Sequence, residues 1–174
     1  IILNSRKTAY ADIALSYIRS AKFKIVNKEI DKTFDSDTTY YIDVRFLEES
    51  GVIAPSPFGD WVEAYVIYTI TEEGIPSYYF LSLDEEGWMI KRVEESKIDK
   101  SAVIRDQRYE SVDIENLDSR GTIMFVDEEG EMYEIAEQKA WTREKTKECF
   151  SFKDKNDDEI ILTYYNKECM TPEG

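Results

Sequence analysis

Apolar side chains in the first part of the chain recur at the spacing of one helix face. The steps between them are three, one, three, one, three and four residues. The members of this stripe are Tyr10, Ile13, Ala14, Tyr17, Ile18, Ala21 and Ile25. Because this stretch contains neither Gly nor Pro, the pattern predicts one amphipathic helix from Ile1 to about Asn27. At about 1.5 Å of rise per residue, such a helix is roughly 40 Å long and can cross a small domain.

Further along, the pattern changes from helical spacing to the alternation and β-branched content of strands. Strands are predicted over residues 62–70, 78–83, 88–93, 122–126, 131–135, 148–152 and 159–165. The tetrapeptide Asp-Glu-Glu-Gly separates two of these strand pairs, at 84–87 and at 127–130. Each copy reads as a hairpin turn whose glycine has positive φ. The flanking strands share little, which favours two independent turns over a duplicated unit.

Between the helix and the first predicted strand, the chain is polar and rich in turn-forming residues. Residues 28–41 read as a connection, and "APSPFGDW" as a loop. Within "DVRFLEESG", Asp43 is placed to cap a short helix, Val44 and Leu47 to face inward, and Gly51 to end it.

The order of these elements predicts the fold class. Helix and strands are segregated along the chain, which indicates an α+β fold with the long N-terminal helix packed on an antiparallel sheet. We expect a single domain over residues 1–174. Its parts are a helical stem over 1–28, a connecting region over 29–61, and the sheet with a closing C-terminal hairpin over 62–174.

Charge is distributed unevenly along this acidic chain. The formal net charge is -15, with 22 Lys and Arg against 37 Asp and Glu. Residues 1–32 carry seven basic and three acidic side chains, which leaves a net charge of +4 on this segment and -19 on the remainder. Such a body repels phosphate backbones, so nucleic acid is not an expected partner. The twelve Tyr, eight Phe and three Trp argue against disorder.

Two cysteines, Cys149 and Cys169, flank the last two predicted strands. With no histidine and no Cys-x-x-Cys pair, a zinc site is nearly excluded, and one disulfide across the closing hairpin is the main interpretation. Such a bridge contributes about 3 kcal/mol in the loop-closure model. The alternative is two buried free thiols.

Few residues suggest catalysis or metal binding. The chain has no histidine, which removes the commonest general base and every Ser-His or Cys-His pair. Adjacent glutamates leave a carboxylate-dependent hydrolase open, but in so acidic a chain they read as solvated surface charge. Asp154, Asn156 and Asp158 alternate as in a calcium loop, but Glu159 and Tyr165 stand where an EF-hand requires Gly and Glu. An ordinary Asx-rich hairpin turn is favoured there, and a calcium site of another loop type stays open. We expect no cofactor.

The first segment resembles the lower half of the long N-terminal helix of type IV pilins and pseudopilins, particularly those of Gram-positive bacteria. That family has a pattern close to N-[AS]-R-K-[ST]-A-x-x-D-x-A. The matching residues are Asn4, Ser5, Arg6, Lys7, Thr8, Ala9, Asp12, Ala14 and Ala21. The layout of residues 43–69 is similar to the family's short helix, Pro-Phe-Gly loop and first strand. The cysteine pair is similar to its disulfide-bounded C-terminal region, whereas residues 71–148 match nothing specific.

The resemblance implies a non-enzymatic filament subunit with a pilin-like fold. It implies that an apolar half-helix precedes Ile1 and holds the subunit in the membrane before assembly, and that the filament is exposed at the cell surface afterwards. The partners are then other pilin subunits. The helix residues expected to support subunit packing are Arg6, Lys7, Tyr10, Ile13, Ala14, Tyr17 and Ile18. We further expect acidic loops of one subunit to lie near the basic stem of another.

Three alternatives stay open. The first is a minor pseudopilin of a secretion or competence system, which this sequence does not separate from a pilin. The second is a secreted module that binds glycans or proteins through aromatic side chains such as Tyr78, Tyr79 and Phe80, although alternating aromatic residues in strands more often pack in the core. The third is the hydrolase, which requires a cleft with two facing acids.

Overall fold

The part of the chain that the structure describes contains one long helix and ten strands. The computed structural model describes residues 1–27, 34–48, 54–105, 122–135, 144–145, 149–153 and 159–163. Helix α1 spans Ile2–Val26, and the single-turn helix α2 spans Val44–Leu47. The strands are β1 (Thr38–Asp43), β2 (Trp61–Ile70), β3 (Pro76–Asp84), β4 (Trp88–Glu94), β5 (Ile104–Arg105), β6 (Thr122–Val126), β7 (Met132–Ile135), β8 (Glu144–Lys145), β9 (Cys149–Lys153) and β10 (Glu159–Thr163). Two 3-10 turns, Glu95–Lys97 and Lys100–Ala102, connect β4 to β5.

Seven of the strands form one mixed sheet in the order β5-β4-β3-β2-β1-β6-β7. Neighbours pair antiparallel except β1 and β6, which run parallel with Tyr40 opposite Met124. The α+β class with an N-terminal helix is confirmed, but the expectation of an antiparallel sheet is wrong. The reason is that β6 joins the free side of β1 and enters from the same end. The N–H of Thr122 donates to the carbonyl of Asp37 at 3.0 Å, which sets the two strand starts side by side.

Strand β1 lies inside the region 29–61 that the sequence predicts to be a connection, and the prediction is wrong there. The sequence "TTYYID" is rich in β-branched and aromatic residues, and this composition is typical of a strand. The prediction failed because the polar and acidic residues before it are typical of a loop. Tyr40 and Ile42 face α1, and Tyr41 faces the other side of the sheet. All three are buried because β1 is a central strand.

The predicted amphipathic helix is confirmed. It ends at Val26, and its C-cap is Asn27, whose N–H donates to the carbonyl of Phe23 at 3.0 Å. Its inward side chains pack on the sheet beside residues of β1, β2, β3 and β4. The buried residues of α1 are Tyr10, Ala11, Ala14, Tyr17, Ile18 and Ala21. Burial of such a stripe is what keeps a helix of this composition docked, because each large apolar side chain removed from water contributes about 1.5–3 kcal/mol.

The sheet face opposite α1 also carries a buried apolar cluster. Its members are Tyr41, Val62, Tyr65, Ile67, Leu81, Leu83, Met89, Ile123 and Phe125. The ring of Tyr41 stacks on Phe125 with centroids 5.2 Å apart and meets Tyr65 edge-on at 6.1 Å. Because both faces of β2 are buried, its sequence is almost continuously apolar rather than strictly alternating.

The two Asp-Glu-Glu-Gly segments form hairpin turns with the same chemistry. Gly87 has φ of 86° and Gly130 has φ of 83°, as predicted. In each turn one carboxylate oxygen of the leading aspartate, Asp84 or Asp127, accepts N–H bonds of 2.9 Å from the residues two and four positions later. The repeated tetrapeptide is thus explained by the demands of one turn geometry.

Helix α2 begins as the sequence predicts. The Asp43 carboxylate accepts the backbone N–H of Arg45 at 2.8 Å and pairs with its guanidinium at 2.7 Å. Val44 and Leu47 face the core and are fully buried or nearly so. The predicted end at Gly51 lies outside the described residues.

A second sheet has the order β10-β9-β8. Its β9–β10 hairpin corresponds to the two closing strands that the sequence predicts, with Ile161 opposite Ser151. The side chain of Cys149 and the whole of Cys169 lie outside the described residues, so their disulfide stays a prediction. The calcium-like segment 154–158 lies outside them as well.

The first prediction concerns Gly130. A methyl group there would lie 2.7 Å from Phe46 Cε2, whereas one at Gly74, which has φ of 84°, meets nothing within 4 Å. Both substitutions strain a left-handed backbone, but only Gly130→Ala must also displace Phe46. We expect it to lower the free energy of unfolding by about 1 kcal/mol more than Gly74→Ala, measured by urea denaturation. In a Phe46→Ala background the two losses should become equal. Equal losses in the native background would contradict the packing described.

Candidate interaction surface of the N-terminal helix

The residues predicted to support subunit packing divide into an inner and an outer set. Tyr10, Ala14, Tyr17 and Ile18 are buried in the subunit's own core. Lys7 and Ile13 are half-buried, and Arg6 is exposed. The inner residues therefore hold α1 on the sheet, as the stripe predicts. A role of any of the seven in contacts between subunits stays a prediction.

Tyr10 anchors the first half of α1 through its hydroxyl group as well as its ring. Its Oη lies 2.7 Å from Ser82 Oγ and donates to the carbonyl of Trp88 at 3.3 Å. The ring meets Trp61 edge-on, with centroids 5.2 Å apart. Burial raises the pKa of Tyr10 well above its ordinary value, so the phenol stays neutral. These bonds fix the position of α1 along β3 and β4.

Tyr17 makes the corresponding contact further along the helix. Its hydroxyl donates to Glu48 Oε2 at 3.1 Å, and burial, followed by the charge of Glu48, raises its pKa. Ser20 donates to the carbonyl of Leu47 at 2.9 Å, which ties α1 to α2. These contacts form one wall of an open groove of about 450 Å³ between the two helices, and Arg19 also lines that groove.

The outward side of α1 is a second row at helical spacing. Its exposed members are Ser5, Thr8, Asp12, Ser16, Arg19 and Phe23. Phe23 is 58% exposed although it is a large aromatic side chain. We call this set the outer row. It is a mixed polar and apolar surface, and its members Ser16, Arg19 and Phe23 also line the groove beside α2.

The basic side chains of the stem do not all point to solvent. Lys22 pairs with Glu95 at 2.6 Å and lies 5.1 Å from the ring centroid of Tyr78, whose pKa burial raises to about 12. Lys24 lies 4.5 Å from the ring centroid of Phe46. Arg6 and Arg19, by contrast, form no ion pair with any part of the chain that the structure describes.

Several side chains from separate elements gather around Trp88, next to the first turns of α1. Lys7 Nζ lies 5.5 Å and Arg105 Cζ 5.7 Å from the Trp88 ring centroid. Phe58 stacks on the same ring at 4.3 Å. An open concavity of about 320 Å³ here is lined by Leu3, Arg6, Phe58, Glu86, Trp88 and Arg105. We call this group, with Lys7, the helix-tip cluster. Sequence reasoning missed it because Arg105 and Trp88 are far from α1 in sequence.

The turn that carries Trp88 is held by a buried carboxylate. Asp84 is fully buried and accepts the N–H of Trp88 at 2.9 Å. Its other oxygen accepts a 2.5 Å bond from Ser56 Oγ. Burial raises the pKa of Asp84, and the hydrogen bonds from Ser56, Trp88 and Glu86 oppose that rise.

The described residues bear on two other interpretations of the sequence, metal binding and exposed aromatic strands. Within the described ranges, no group of three or more acidic or cysteine side chains is arranged to hold a metal ion. Tyr65, Tyr68 and Phe80 are buried, and Tyr78 and Tyr79 are half-buried, so the aromatic residues of β2 and β3 contribute to the core. Among the described helices, none combines the length and apolarity needed to cross a membrane.

No protein-family model, curated protein or solved structure matches this chain. The sequence pattern and the geometry of α1 are therefore the features that bear on its function. The fold alone assigns no activity.

The second prediction follows from the burial of Asp84. Because its pKa is raised in the folded state, its contribution to stability is present below the ordinary aspartate range and is lost as pH rises through the raised value. Asp84→Asn keeps the acceptor for the turn but does not ionise. In urea denaturation from about pH 3.5 to about pH 7, the native chain should lose stability relative to this variant. A difference that stays constant, or that changes with the opposite sign, would contradict the assignment.

Proposed function

We propose that this chain is a non-enzymatic subunit of a type IV pilus-like extracellular filament. The observation that carries the proposal is the division of α1 into two faces. One face is buried on the sheet from Tyr10 to Ala21, while the outer row stays exposed along the same length. A helix fixed in this way is a rigid stem that can pack against the stems of other subunits.

The resemblance of residues 4–14 to the pilin helix supports the same conclusion. In the proposed subunit, an apolar half precedes Ile1 and spans the membrane before assembly, where helices associate through close packing. The sheet and its acidic turns then face outwards. The main sheet has seven strands and is larger than that of a typical pilin, so the resemblance is carried by the sequence of the stem rather than by the strand order.

Charge is consistent with contacts between stems and neighbouring bodies. Arg6 and Arg19 lack ion-pair partners among the described residues of their own subunit. The acidic turns expose Glu72, Glu85 and Glu129. We propose that such turns of one subunit lie near these arginines of the next. A minor pseudopilin would use the same surfaces.

The third prediction tests the outer row directly. We expect Ser16→Cys, introduced into the full-length protein in its own cell, to form covalent dimers on oxidation of sheared surface filaments. Neighbouring stems bring exposed positions of α1 close together, whereas Glu73→Cys, at the tip of the β2–β3 turn, should not cross-link. Gel electrophoresis without reductant, compared with the unsubstituted chain, makes the measurement. Surface fractions without this chain, or cross-linking from Glu73→Cys alone, would contradict the proposal.

The fourth prediction concerns salt. Ion pairs between exposed groups are screened as the Debye length shortens, so raising salt from about 0.1 M to about 1 M should shift isolated filaments towards free subunits. Sedimentation of filaments with and without added salt measures the shift. Arg19→Gln should reduce the response, while Lys97→Gln, an exposed substitution outside α1, should leave it unchanged. Filaments whose sedimentation does not change with salt would count against the charge contacts.

A further inference from the structure

The beginning of α1 is an exposed apolar tip. Ile1, Ile2 and Leu3 are 103%, 71% and 47% exposed, which is unusual for three consecutive large apolar residues. Arg6 follows within the next turn and is also exposed. Together with these cationic side chains, the exposed apolar residues form an amphipathic surface at this end of the domain.

The helix-tip cluster adds cations and an aromatic ring directly behind that tip. Lys7 and Arg105 approach the Trp88 ring from two different elements, and Arg6 lines the same concavity as Arg105. Indole rings and basic side chains beside an apolar segment are the combination found at membrane interfaces, where the ring sits among headgroups and the cations meet lipid phosphates.

Acidic side chains near the cluster limit its charge. Glu86 lies 3.8 Å from Arg105 Nη2, and Arg105 Nε donates to the Glu86 carbonyl at 2.9 Å. Glu85 is exposed on the same turn. Arg6 and Lys7 form no ion pair with the described residues. The cluster is thus weakly cationic on a protein whose net charge is -15, so an anionic surface should meet the protein through this end and repel the others.

We propose that the helix-tip cluster docks the domain onto the headgroups of anionic phospholipids. Arg6, Lys7 and Arg105 contact the phosphates, Trp88 lies at headgroup level, and Ile2 and Leu3 enter the apolar boundary. The inference rests on the proposed function, because a stem that continues into the membrane places this end of the domain against the bilayer. It adds that the domain itself contacts the lipid before extraction into a filament.

Vesicle flotation of the chain as it stands tests this docking. We expect binding to vesicles of phosphatidylcholine with 30% phosphatidylglycerol, and much weaker binding to phosphatidylcholine alone, with the bound fraction falling as salt rises. Arg6→Gln with Arg105→Gln should reduce binding roughly tenfold or more, since one cation near an anionic surface contributes about fivefold. Glu86→Gln should increase binding to the anionic vesicles and leave binding to phosphatidylcholine alone unchanged, whereas a misfolded variant with exposed apolar surface would bind both.

Matched variants separate this surface from general charge. Arg19→Gln with Lys97→Gln changes the net charge equally but lies away from the cluster, and it should leave flotation unchanged. Inorganic phosphate at the same ionic strength as a sodium chloride control should compete little if the lipid surface is the ligand. Strong competition by phosphate would mean that the cluster binds a free anion and not a lipid surface, and it would overturn the proposal.

Absence of binding to anionic vesicles, or equal losses for the two arginine-containing pairs, would also overturn the lipid contact. Neither result would contradict the filament role. That role is tested by the oxidation of Ser16→Cys filaments, which detects contacts between stems and involves no vesicles. If the flotation succeeds while the cross-linking fails, the domain is a membrane-docked protein of another kind.

Discussion

The structure depends on the burial of one helix stripe against one sheet face. Tyr10, Ala14 and Ile18 are completely buried there, and the alternation of large and small side chains lets α1 lie close to the strands. Polar contacts fix the position at intervals, with Ser82 holding Tyr10 and Glu48 holding Tyr17. Apolar burial therefore provides most of the stabilisation, while the buried hydroxyl groups select one register of helix on sheet.

Much of this arrangement could be predicted from the sequence. The stripe from Tyr10 to Ala21, the turn glycines Gly87 and Gly130, and the Asp43 cap are local signals, and each depends on a few neighbouring residues. Strand β1 was missed because its place is decided by distant partners, β2 and β6, and not by its own short pattern. The parallel pairing of β1 with β6 was missed for the same reason. Without β1, all the predicted strands could be joined as antiparallel hairpins.

The functional surface shows the same contrast. The exposed side of α1 follows directly from the predicted stripe, because a residue off the stripe faces outwards. The helix-tip cluster could not be predicted, because it needs Arg105 from β5 and Trp88 from β4 beside Lys7. Pairing of Trp88 with Arg105 across two antiparallel strands brings them together. That pairing depends on the register of β4 against β5, and the residues next to Trp88 or Arg105 in the sequence do not predict it.

Native-state hydrogen exchange tests the docking of α1 most directly. If the buried stripe and the sheet form one cooperative unit, amides of residues 10–21 exchange only through global unfolding, with the same free energy as amides of β2 and β3. The first turn, where Ile2 and Leu3 are exposed, should exchange far earlier. Exchange of residues 10–21 well before the sheet would mean that α1 detaches on its own, and it would contradict the account of a rigid stem.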